Sequence, residues 1–90
     1  MKTYLIVIER CKNNCSAFSP DVPGCISTGD TVEETLDNMR DALRTHLDGE
    51  ESPPEPRGLE YHLADDPELH DPGLILTSIP VEEVSPLAHA

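Results

Sequence analysis

Aromatic bulk is almost missing from this sequence: there is no tryptophan, and Tyr4, Phe18 and Tyr61 are the only aromatic hydrophobic residues. A core of normal density must then be built from aliphatic side chains or completed by another subunit. Basic residues are scarce as well. Lys2, Arg10, Lys12, Arg40, Arg44 and Arg57 stand against 18 carboxylates, for a formal charge of −12. That field repels phosphate and the six cations are scattered, which excludes a nucleic acid as the expected partner. A basic protein fits the charge, and so does plain solubility.

Long apolar runs are missing too. The longest, residues 5–8, falls far short of the ~20 residues that cross a bilayer, so no membrane role is expected. Cysteine occurs as Cys11, Cys15 and Cys25, an odd number that argues against a closed disulfide framework. With no basic-then-apolar leader, the reducing cytoplasm is the expected location. A chain of 90 residues suits one domain, and no internal repeat is visible.

What is present falls into a clear order. Residues 4–9, Tyr-Leu-Ile-Val-Ile-Glu, are β-branched and apolar, as in a strand buried on both faces. Asn13-Asn14 tolerates the left-handed backbone of a tight hairpin, after which residues 15–19 return antiparallel. The two-residue period puts Ser16 and Phe18 on one face, Ala17 and Ser19 on the other. Pro20-Asp21-Val22-Pro23-Gly24 then forces a bend. Residues 25–28, with Ile26 as the one large side chain, form a third short strand ended by Gly29.

Two helix caps are chemically complete: Asp30 with Glu33, or Thr31 with Glu34. Val32, Leu36, Met39, Leu43 and Leu47 follow as one apolar helical stripe, and Gly49 is a plausible stop. Residues 50–73 change character: acidic, with Pro53, Pro54, Pro56 and Pro67, a composition that excludes a long helix or a central strand. This is expected to be a solvated excursion, with Leu59, Tyr61 and Leu63 alternating as a short edge strand. Residues 74–80 are a second good strand, and the tail 81–90 is too short to fold alone. The core is thus expected in residues 3–49 and 74–80.

The sequence shows no catalytic constellation. Cys11, Cys15 and Cys25 lack the paired spacing of a zinc site, and His46, His62, His70 and His89 share no motif with a nucleophile. A strand-strand-strand-helix unit is shared with nucleases of the ribonuclease H type, but residues 4–8 carry no carboxylate for metal-assisted hydrolysis. No enzyme, metal or cofactor is expected.

Asn13-Asn14, Ser16-Ala17-Phe18-Ser19-Pro20-Asp21-Val22-Pro23-Gly24-Cys25 and Thr28-Gly29-Asp30-Thr31-Val32-Glu33-Glu34 together resemble the HicB-like antitoxin family, over residues 4–47. The resemblance implies an α+β, partial ribonuclease H-like fold, β-β-β-α-β, with one helix on a small mixed sheet and no nuclease carboxylates. It implies a single HicB-like domain that binds and masks a small basic RNA-cutting toxin of the HicA type. Many such proteins add a DNA-binding module, but residues after 74 are few and lack a basic helix, so direct operator binding is not expected. Asp21, Glu33, Glu34 and Asp37 are the candidates to face the toxin, whereas Pro20, Pro23, Gly24, Gly29, Asp30 and Thr31 are structural turn and cap residues. Because one helix would leave a sheet face and two edges open, a homo-oligomer, dimer or tetramer, is expected. The alternative is a solitary regulatory or ligand-binding oligomer of the same fold without a toxin.

Overall fold

A computed structural model describes residues 2–85. β1 (Thr3–Arg10), β2 (Cys15–Phe18), β3 (Ile26–Gly29) and β4 (Leu74–Pro80) form one sheet in the order β3, β2, β1, β4. Every pairing is antiparallel, so the sheet is not mixed. The physical reason is that β4 returns beside β1 from the opposite end, Tyr4 facing Ile79 and Ile8 facing Ile75.

The continuous apolar run in β1 is explained by burial on both sides, since Tyr4, Leu5, Ile6, Val7 and Ile8 are all buried. Tyr4, Ile6 and Ile8 face α1 (Val32–Leu47) together with Cys15, Ala17 and Ile79. From α1 the residues Met39, Leu43 and Leu47 are fully buried, each burial contributing about 1.5–3 kcal/mol, while Val32 and Leu36 are partly covered. Thr31 caps the helix, its Oγ1 accepting from the Glu34 N–H at 3.0 Å, and Gly49 follows the last turn with φ 83°. Asp30 is exposed and is not the cap.

The hairpin at residues 11–14 closes with the Cys11 N–H donating to the Asn14 carbonyl at 2.8 Å. It uses no left-handed residue, because four loop residues relax the twist that a two-residue turn would impose. After β2, successive turns bring the Val22 N–H to the Ser19 carbonyl and the Cys25 N–H to the Val22 carbonyl, with Gly24 at φ 86°.

The expected edge strand in the acidic segment is instead a helix. α2 (Leu59–Asp65) starts after Gly58 and stops before Pro67, whose ring cannot continue it, and a 3-10 turn spans Pro67–His70. The alternation of Leu59, Tyr61 and Leu63 misleads because burial here follows His62, Leu63 and Leu69. Leu69 and Leu63 pack on Leu5, Val7, Leu74 and Leu76, so the acidic arm covers the outer face of the sheet. That removes one premise for an oligomer, the bare face, and leaves β3 and β4 as free edges. The tail begins as α3 (Val81–Val84), which docks Val84 against the same core as α1; Leu87 and His89 lie outside the described residues.

Candidate functional site

The Pro-Asp-Val-Pro-Gly bend points Asp21 inward. Its side chain is 1% exposed, one oxygen accepting from the Leu5 amide of β1 at 2.8 Å. The other accepts from the Arg57 amide at 2.9 Å and from His62 Nε2 at 2.6 Å. A carboxylate at neutral pH only accepts, so Nε2 of His62 carries the proton. Asp21 therefore joins β1, the bend and the acidic arm, and is not available to face a partner. Of the four expected partner-facing residues it is the buried one, its carboxylate accepting from two backbone amides and an imidazole.

Beside it, the Tyr4 hydroxyl donates to the Pro54 carbonyl at 2.8 Å, tying the proline-rich stretch to the core. Burial, and then the negative charges of Asp21 and Glu55, push the Tyr4 phenol above its ordinary 10.0. Burial alone raises the Cys25 thiol. Both shifts favour the protonated, uncharged form.

Glu33, Glu34 and Asp37 sit on the exposed side of α1, in its first two turns. Asp37 accepts from Arg40 at 2.8 Å, and Arg40 also lies 3.3 Å from Glu83 of α3. Asp41 pairs with Arg44 in the same way, at 3.0 Å. These exposed pairs are worth a few tenths of a kcal/mol each, roughly. Glu33 and Glu34 have no ion pair among the described residues. The three residues thus share one open helical surface, apart from Asp21.

Of the expected turn and cap residues, Thr31 caps α1 and Asp30 does not. A Cβ on Gly29 would meet the backbone nitrogen and Oγ1 of Thr35 at 2.7 Å, so only glycine lets β3 pass this close to α1. Ser27 Oγ donates to the Thr35 carbonyl at 3.1 Å and Asn38 Nδ2 to the Thr28 carbonyl at 2.8 Å, fastening the same seam. Pro20 and Pro23 flank Asp21 and fix the bend that turns it inward. Among the described residues no group of three His, Cys, Asp or Glu is arranged to hold a metal ion, and no helix is long and apolar enough to cross a membrane. No local signal in the sequence links Asp21 to Arg57 and His62, which lie 36 and 41 residues away.

A four-stranded antiparallel sheet with a long helix on one face defines a small α+β protein. The family model for the HicB-like antitoxin of bacterial toxin-antitoxin systems matches residues 4–89, and the chain belongs to that family. It is 34% identical over 83 residues to an uncharacterized 14.9 kDa protein in the rep-hol intergenic region of Haemophilus phage HP1. That match covers 88% of this chain and 60% of the phage protein, so the chain spans less than two thirds of that relative's length. Among solved structures, it is similar to a chain of a HicA3 and HicB3 toxin-antitoxin complex, with TM-score 0.64 and 28% identity over 84% of this chain and 93% of that one. It also shares the fold of the Burkholderia pseudomallei antitoxin HicB, with TM-score 0.71 and 23% identity over 94% of this chain and 68% of that one.

Proposed function

We propose that the protein is a non-catalytic antitoxin that binds a small, basic, RNA-cutting toxin of the HicA type and masks its active site. The observation that carries this reading is the likeness to a chain taken from a HicA3 and HicB3 complex, which extends over nearly the whole of that chain. The charge of −12 supports it, since a strongly negative surface speeds encounter with a basic protein and disfavours competing nucleic acid. On α1, Glu33, Glu34 and Asp37 are the candidate contacts. The antitoxin acts in the cytoplasm as a homo-oligomer, dimer or tetramer, closed through the free sheet edges, with no cofactor.

The test is co-expression with the product of an adjacent short reading frame of basic composition. The expected result is a co-purifying complex and relief of the growth arrest and RNA cleavage caused by that product alone. A product that neither binds nor is neutralised would remove the antitoxin reading and leave a solitary regulatory oligomer of this fold.

A further inference from the structure

Two of the three aromatic residues are left at the surface, and they line the same groove. Phe18 at the end of β2 is 41% exposed and Tyr61 in α2 is 43% exposed, whereas Tyr4 is fully buried. The groove runs between the end of β2 with the proline bend and the acidic arm, with Pro20, Pro23, Pro54 and Leu69 completing its apolar lining. Ile26, opposite Phe18 in the register of β2 with β3, is 66% exposed and extends the patch. Glu55, Asp65 and Asp66 form the rim, against one cation, Arg57. Past Phe18 and Leu69 the hollow continues among Glu9, Glu68 and Asp71, with Arg10.

Aromatic anchors in a recess, ringed by polar groups, have the composition of a binding hot spot, and here an aromatic-poor chain places two of its three rings in one. The recess is also preformed. Arg57 is held through its amide by Asp21, and its guanidinium lies 4.7 Å from the centre of the Tyr61 ring, backing the anchor on one side. His62, the neighbour of Tyr61, is held by the same carboxylate. A fixed recess loses less conformational freedom on binding.

The rim decides the occupant. A second copy of this chain would bring another −12 against these carboxylates, and an acidic peptide would do the same. We infer that the groove is the docking site for a basic protein segment that carries an arginine or lysine beside an apolar residue, with Phe18 and Tyr61 as anchors. The identity of that protein as the toxin rests on the reading above; the chemistry of the groove does not.

Calorimetric titration of the toxin into the full-length protein tests it, using Phe18→Ser/Tyr61→Ser, Asp65→Lys and, on α1, Glu33→Gln/Glu34→Gln. The aromatic double variant is expected to lose at least about a hundredfold in affinity, and Asp65→Lys about tenfold, more at low salt. The α1 variant should change less than either. If Phe18→Ser/Tyr61→Ser does not fold, Asp65→Lys alone decides. Groove variants that fold and stay within about threefold of wild type would overturn the inference while leaving the antitoxin reading intact. If the wild-type protein binds no toxin, that reading fails, and an NMR titration with a hexa-arginine peptide decides the groove by itself. Shifts centred on Phe18, Tyr61 and Asp65 would uphold it; shifts centred on α1, or spread evenly, would overturn it.

Discussion

Oδ1 of Asp21 and Nε2 of His62 lie 2.6 Å apart in the interior, although 41 residues of chain separate them. The same carboxylate takes the amides of Leu5 and Arg57, so one side chain joins the first strand, the proline bend and the acidic arm. Asp21→Asn retains the volume but turns an amide donor toward at least one of those donors. The expected loss is about 2–4 kcal/mol in urea unfolding, with faster hydrogen exchange at the Leu5 and Arg57 amides. A change under about 0.5 kcal/mol would show that the junction contributes nothing to the fold.

Alkaline stability should depend on Tyr4. Its phenol is raised above 10.0 by burial first and by Asp21 and Glu55 next, so the folded state keeps a proton that the unfolded chain gives up. The contribution is complete below about pH 10 and is lost as pH rises from there through the folded value. Tyr4→Phe should flatten that part of the stability profile while costing about 1 kcal/mol at pH 7 for the lost bond to Pro54. A mutant profile parallel to wild type above pH 10 would be the contrary result.

Gly29 should tolerate no side chain. Its backbone angle is not the obstacle; the Cβ would press on the Thr35 amide, which belongs to the first turn of α1 and cannot swing aside. Gly29→Ala is expected to cost about 1–3 kcal/mol by thermal or urea unfolding. Gly49→Ala, with open space around its Cβ but φ 83°, should cost nearer 1 kcal/mol, roughly the left-handed backbone penalty.

Of the two possible caps only one is used, and the difference is measurable. Thr31→Ala removes the bond to the Glu34 amide and should cost about 1 kcal/mol, whereas Asp30→Ala should change stability by under about 0.5 kcal/mol. Equal effects would mean that the helix can restart one residue earlier.

The charge of α1 should act mainly on encounter. Reversing Glu33, Glu34 and Asp37 to lysine is expected to slow association with the basic toxin about tenfold at low salt, with a smaller effect at 0.5 M salt, by stopped-flow mixing. An unchanged association rate would remove these three residues from the contact surface.

The paired bends and caps of residues 19–34 were legible because proline, glycine and N-cap chemistry act on immediate neighbours. β1 and β4 were legible from apolar β-branched runs, and α1 from its stripe, with Met39, Leu43 and Leu47 buried as the spacing required. The arm departs from its local pattern. Leu59, Tyr61 and Leu63 alternate like a strand, but the residue that matters, His62, is polar and is buried because Asp21 receives it. The exposed side of α1 could be placed from sequence, whereas the inward turn of Asp21 could not.

The sequence by itself determined the order of strands and helix, the sharp bend at Pro20 to Gly24, a helix start at one of two adjacent caps, Asp30 or Thr31, the absence of a carboxylate in the middle of β1, and the scarcity of aromatic residues. Those follow from backbone restrictions and side-chain periodicity over a few consecutive residues. Only the tertiary structure decided that the acidic arm folds back over the second face of the sheet, and that Asp21 is its anchor instead of a surface contact. It also decided that Phe18 and Tyr61, two of the few rings the chain has, come to line one groove. Each of these depends on segments distant in sequence meeting across the sheet, where burial and hydrogen-bond satisfaction override the local pattern.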